Sequence, residues 1–177
     1  MKIALIGYGN IANAIINGML SSEKTKVMDD IYVFHNKEQN SIHRDKCKFL
    51  CSGDNSESSF DIIFLCVKPK DMEAAINENI TLFSDDQIVV SVAAGITIEK
   101  IKKLVKKKSD IIRAMPNLCA IFNESITGIC FQSNIIEDKK KYVEDIFRCI
   151  GYVREIDEKE IDSFTALFGS GPAYIIY

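Results

Sequence analysis

The sequence predicts an α/β fold, a doubly wound, mainly parallel sheet with helices on both faces. Two observations carry that prediction. Short apolar runs of strand length alternate along the 177 residues with segments whose apolar positions recur at helical spacing. The first run breaks at Gly7-Tyr8-Gly9 and restarts as a helix, which puts two glycines at a strand-to-helix turn.

Taken in order, residues 3–6 read as a buried strand, and Ile11, Ala12, Ile15, Ile16 and Met19 mark one face of a helix over 10–20. Strand runs follow at 31–34, 62–67, 88–92 and 111–114, and Cys51 is expected to begin another. A helix over 98–105 presents Ile98, Ile101, Leu104 and Val105 as its apolar face. Runs at 126–131 and 152–156 extend the sheet, separated by an amphipathic stretch over 137–149 with Tyr142, Val143, Ile146 and Phe147 on its apolar side. The closing "FTALFGSGPAYIIY" opens a further helix at Gly169, Gly171 and Pro172. An apolar helix ending in Ile175, Ile176 and Tyr177 cannot bury its face alone, so the chain reads as cut short.

Composition narrows the function classes. Hydrophobic residues at 47% and charged residues at 27% make a globular balance, neither disordered nor membrane-embedded. No apolar run reaches the roughly 20 residues that span a bilayer, and Met1-Lys2 leads straight into a strand; a cytoplasmic protein with no membrane partner is expected. A net charge of −3 offers no general attraction to nucleic acid. The one basic cluster, Lys102, Lys103, Lys106, Lys107 and Lys108, reads as a solvated helix end complementing the dipole. Of the six cysteines, Cys66, Cys130 and Cys149 fall in apolar elements and are expected to stay reduced. His43, Cys47 and Cys51 have a ligand-like spacing, but no Cys-x-x-Cys pair completes it, so no metal is expected.

The glycines spell G-x-G-x-x-A with Ala12 in third place. Gly7 permits a tight turn, Gly9 lets the backbone approach a pyrophosphate, and small Ala12 lets the helix pack closely on the strand. The free N–H groups of the helix then face the anion. This implies a Rossmann-type dinucleotide site, the alternative being a turn that serves packing alone. A protein that reads the ribose of NAD usually carries an acid at the end of its second strand, whereas here the text is "IYVFHNKEQN". Asn36 and Lys37 suit a 2′-phosphate, so NADP, with NADPH preferred over NADH, is expected; the alternative is a polar loop with Lys37 solvated. Beyond the strand ending "FLCVKPKD", Val67 and Lys68 lie where a cofactor sits, with Pro69 stopping the strand. Small Ala93, Ala94 and Gly95 leave room for a ring, and Arg113 and Asn117 also fall on the ligand side. Nucleophilic machinery is missing: neither His35 nor His43 has an evident Ser or Cys partner, and Ser170 lacks a surrounding G-x-S-x-G. Hydride transfer needs none of it, because the cofactor brings the chemistry.

Taken together, "GYGNIA", "CVKPKD", "VSVAAGIT", "RAMPN" and "TALFGSGPAY", in this order, resemble pyrroline-5-carboxylate reductase over essentially the whole chain. The resemblance implies an NADPH-preferring domain over 1–157, the start of a helical dimerisation and substrate domain over 158–177, and reduction of a small-molecule cyclic imine to proline. It assigns Gly7, Gly9, Asn10, Ile11 and Ala12 to the pyrophosphate, and His35, Asn36 and Lys37 to the adenosine end. Asn55 falls near the ribose, Val67, Lys68 and Ala94 border the cofactor, and Glu158 belongs to the substrate region. The catalytic residues are expected beyond Tyr177, and the full-length form is expected to be a homo-oligomer. Leu118-Cys119 after "MPN", where the family has Thr-Pro, and Phe168, where it has Ser, are departures. Other readings are a deazaflavin-dependent NADP oxidoreductase and a dinucleotide-binding module without turnover.

Overall fold

The run at 3–6 forms strand β1 (Lys2–Ile6) in a computed structural model that describes residues 1–22, 30–35, 43, 45–57 and 59–171. The strand shows no polar alternation because both of its faces are covered. Ile3 and Leu5 enter one apolar layer, while Ala4 and Ile6 enter the other. Helix α1 (Asn10–Ser21) follows and buries Ala12, Ile15, Ile16 and Met19. Next come β2 (Asp30–Phe34), β3 (Lys48–Leu50), β4 (Ile62–Leu65), α2 (Met72–Glu78), β5 (Ile88–Ser91) and α3 (Ile98–Val105). The chain continues through β6 (Asp110–Met115), β7 (Ser125–Phe131), α4 (Glu137–Arg148), β8 (Gly151–Glu155) and α5 (Ile161–Phe164), which runs into a π turn over Thr165–Gly169.

The strands make one sheet in the order β3-β2-β1-β4-β5-β6-β7-β8. The first six are parallel, β7 is antiparallel to β6, and β8 is parallel to β7 through the α4 crossover. Helices α1 and α4 fill one face with Ile15, Ile16, Val143, Ile146 and Phe147. Helices α2 and α3 fill the other with Met72, Ile76, Ile98, Ile101 and Val105, so the doubly wound expectation holds.

Several boundaries differ from the sequence reading: β5 stops at Ser91, β8 runs over Gly151–Glu155, and helical backbone already begins at Ile161, ahead of the opening expected at Gly169. Cys51 does not begin a strand but follows β3, whose three residues pair with the end of β2. The strand expected over 62–67 ends at Leu65, because Cys66 and Val67 already wrap around Gly7 on their way to a 3-10 turn begun by Pro69. The five clustered lysines after Ile101 are all exposed, as expected of a solvated helix end. All six cysteines are free.

Candidate functional site

Register lines up one row of residues across the parallel part of the sheet: Leu50, Phe34, Ile6, Leu65, Ser91 and Arg113. The residues just past this row share one end of the molecule. They include Gly7, His35, Val67 and Ala94, from four different parts of the chain. β1 and β4 are neighbours, and the connection leaving β1 runs through α1 on one face toward β2 while the one leaving β4 runs through α2 on the other face toward β5, which opens a crevice between their carboxyl ends.

The two glycines of the turn do different work. Gly7 has φ +97°, its N–H donates to the Phe34 carbonyl at 2.9 Å, and a Cβ there would meet the Cys66 carbonyl oxygen at 2.7 Å. It is required by the fold itself. Gly9 is different: its φ of −101° suits any residue, and a Cβ on it would touch no protein atom within 4 Å. Packing therefore gives no reason for a glycine at 9, and the space it leaves open lies directly before α1. That helix starts without a side-chain cap and with no acid in its first turn. Its first intrahelical bond is from the Asn13 N–H to the Gly9 carbonyl, which leaves the N–H groups ahead of it pointing out of the helix. Small Ala12 is fully buried, so the helix lies close against β1. Open space, outward N–H groups and a positive helix end are what a pyrophosphate needs, and the residues present fit a dinucleotide.

Beside the turn lies a cleft of about 300 Å³, lined by Gly7, His35, Ser52, Val67 and Ala75 among others. His35 is half-buried here, its N–H tied to the Leu50 carbonyl at 3.0 Å. Lys68 is exposed at the entry to the Pro69 turn, and Ala94 is exposed past β5. Asn55 is exposed, and its side-chain oxygen accepts from the Thr81 hydroxyl. Asn36 and Lys37 lie outside the described residues. Another cleft, of about 370 Å³ around Asp61, Asp86 and Lys139, sits by the amino ends of β4 and β5, away from this row.

Arg113 and Asn117 are near the same end of the sheet, but their side chains serve the chain itself. Arg113 is buried and donates from Nη1 to Glu158 Oε1 at 2.8 Å; the same carboxylate oxygen accepts the Ile98 N–H at 2.8 Å. Asn117, also buried, donates to the Phe168 carbonyl at 3.0 Å and accepts the Cys119 N–H. The segment 158–168 is thereby tied down over β6. Glu158 is thus brought to Arg113, and one of its oxygens is engaged by the fold.

Sequence reasoning passed over Tyr8 and Ser52. Tyr8 turns inward and is buried, its hydroxyl 2.8 Å from His43 Nδ1. His43 Nε2 lies 2.7 Å from Asn17 Oδ1. Burial, reinforced by nearby Lys46, lowers the His43 pKa below its usual value. The inward Tyr8 ring could have been suspected from its place between two glycines, but nothing local points to Ser52.

Residues 2–95 match the family model described as NADP oxidoreductase, coenzyme F420-dependent. The chain is 35% identical over 185 residues to pyrroline-5-carboxylate reductase 2 of Bacillus subtilis, covering 98% of this chain and 63% of that protein. It is 31% identical to the pyrroline-5-carboxylate reductase of Aquifex aeolicus, covering 99% of this chain and 64% of that one. Among solved structures, a pyrroline-5-carboxylate reductase from Coxiella burnetii superimposes with a TM-score of 0.87 at 29% identity, over 98% of this chain and 66% of that one. The Plasmodium falciparum pyrroline carboxylate reductase, solved with NADP bound, gives 0.82 at 25% identity, over 99% and 65%. The chain spans a little under two thirds of the length of these relatives. Among the described residues no helix is long and apolar enough to cross a membrane. With the crevice at β1, the uncapped α1 and a match running from the first strand to beyond β5, the chain belongs to the NADP oxidoreductase, coenzyme F420-dependent family, and it is similar from end to end to pyrroline-5-carboxylate reductases.

Proposed function

We propose that the chain is the cofactor-binding part of an NADPH-dependent reductase that converts 1-pyrroline-5-carboxylate to proline. The observation that carries this reading is the open space before Gly9, which no packing demand explains, in a chain that aligns end to end with reductases of that name. Gly7, Gly9, Asn10, Ile11 and Ala12 hold the pyrophosphate, with backbone N–H groups as donors. His35, Asn36, Lys37 and Asn55 serve the adenosine end, and Val67, Lys68 and Ala94 border the rest of the cofactor. When bound, the reduced nicotinamide supplies a hydride to the imine carbon. This chain's residues bind it, orient it and present it beyond the carboxyl ends of the strands.

Residues 1–157 form the dinucleotide domain on this reading, and 158–177 begin a helical domain for dimerisation and substrate binding. The groups that hold the imine come from the part of the relatives this chain does not span, with Glu158 at its border. The whole protein is a cytoplasmic homo-oligomer. Alone, the chain binds NADPH and turns over slowly, since a misplaced reacting atom costs on the order of 100-fold in rate. The family description names another coenzyme, but its match stops at residue 95, whereas the reductase relatives continue through the Arg113 and Phe168 segments.

Calorimetric titration of this chain with NADPH and NADH is the first test, with NADPH expected to bind more tightly. Equal affinities would remove the roles of Asn36 and Lys37. A paired absorbance assay with 1-pyrroline-5-carboxylate, on this chain and on a form extended through a helical domain, tests the reaction. An extended form that binds NADPH yet leaves the imine untouched points to a different reductase.

A further inference from the structure

We propose that Tyr8, His43 and Asn17 form a strut that sets the pyrophosphate turn against helix α1, making Tyr8 and His43 positioning residues for dinucleotide binding. The inference rests on the cofactor reading above and adds a part to that site. Tyr8 is the one side chain of the Gly7-Tyr8-Gly9 turn, and it is 7% exposed. Its ring stands edge-on to Phe49 with centroids 5.1 Å apart, and to His43 at 6.1 Å. From its hydroxyl the strut passes through the imidazole of His43 to Asn17, two helical turns down α1 from Gly9. His43 is itself held, because its carbonyl accepts the N–H groups of both Lys46 and Cys47 at 2.9 Å.

The chemistry gives the strut one direction. Asn17 Oδ1 can only accept, so His43 Nε2 carries the proton and donates. His43 Nδ1 is then the acceptor, and Tyr8 Oη is the donor. Burial favours the neutral ring that this arrangement needs. Glycine has the greatest backbone freedom of any residue, and the turn places one on each side of Tyr8. Without the strut, ordering that turn falls on the binding event and weakens it. With it, the N–H groups of α1 and of the turn are fixed relative to each other before a ligand arrives.

Tyr8→Phe keeps the ring and its packing on Phe49 and deletes only the hydroxyl. NADPH binding, measured by calorimetry, is expected to weaken about threefold to tenfold. Adenosine 2′-monophosphate, which has no pyrophosphate, should bind as it does to the unaltered chain. Asn17→Ala cuts the strut from its other, exposed end and should give the same pattern; it also reads the strut if Tyr8→Phe does not fold. The double variant should bind no worse than Tyr8→Phe alone, since both changes break one unit. His43→Gln, which carries an acceptor and a donor, should restore affinity lost in His43→Ala. Equal weakening toward both ligands would mean a general loosening of the fold and would overturn the proposal. Unchanged NADPH binding in both single variants would overturn it while leaving the cofactor reading intact. Failure of the unaltered chain to bind NADPH would remove both.

Discussion

Replacing Gly9 by valine separates a glycine kept for a ligand from one kept for the fold. Since a Cβ at this position touches nothing within 4 Å and the backbone is extended at φ −101°, the folded chain accepts the side chain. The cost is that of a poorer helix N-cap, roughly 0.5–1 kcal/mol, or about 1–4 °C in Tm for a chain of this size. A pyrophosphate, by contrast, is pushed off the α1 N–H groups. Losing two charge-assisted hydrogen bonds at about 1.5 kcal/mol each weakens binding by roughly 100-fold or more. Gly7→Ala is the reverse control. Its Cβ lands 2.7 Å from the Cys66 carbonyl oxygen at φ +97°, and the strain costs on the order of 1–3 kcal/mol before any ligand is present. Calorimetry with NADPH and thermal unfolding of both variants give the comparison. If Gly9→Val binds NADPH within about threefold of the unaltered chain while folded, the cofactor does not pass over this glycine and the open space there is not a pyrophosphate site.

Three further outcomes are expected. Because the folded pKa of His43 is lowered, the unfolded chain takes up its proton first, so this residue's contribution to stability is fully present above about pH 6.5 and is lost as pH falls through the lowered folded value. Denaturant titrations between pH 5.5 and about 7.5 should show that slope and should show it flattened in His43→Gln; identical slopes would contradict it. Glu158→Ala strips a buried arginine of its half-exposed carboxylate partner and the Ile98 N–H of its acceptor, and should destabilise by about 1.5–3 kcal/mol in urea unfolding. Unchanged stability would show that the Arg113 and Ile98 contacts to Glu158 carry no net weight in the fold. In alkylation of the folded protein near neutral pH, exposed Cys51 should react first. Cys47 and Cys130 are buried, which pushes both up to about 11, so they should react only on unfolding; Cys130 labelled as fast as Cys51 would count against the packing of β7.

What could be read from sequence was whatever is local. The strand–glycine–helix text around Gly7 carries its meaning within a dozen residues, and the helix over 98–105 shows both its Thr97 cap and its apolar face in one stretch. A strand expected to begin at Cys51 lies instead at β3, just before it, because β3 is three residues long and partly exposed and so has no apolar run to mark it. Helix α2 buries only Met72 and Ile76, which is too little periodicity to stand out. The reversed direction of β7 had a usable signal. Residues 116–124 hold no α-helix to cross over the sheet, and a connection that short favours an antiparallel neighbour. The ties at the site were out of reach, since Tyr8 meets His43 across 35 positions and Arg113 meets Glu158 across 45. Only the sheet order brings those pairs together.

The bare start of α1 also bears on how this protein would respond to laboratory selection for heat resistance. Gly9 sits at a cap position where aspartate is among the preferred residues, and an acid there would satisfy a free N–H and complement the helix dipole. Gly9→Asp thus offers a few tenths of a kcal/mol up to about 1 kcal/mol of extra stability, with no neighbour in the way. The same carboxylate would occupy the anion's place with a charge of the same sign. If a dinucleotide is held at Gly9 as proposed, a screen that scores survival on heating would enrich a chain that can no longer hold it, and residue 9 would be where durability and use pull in opposite directions.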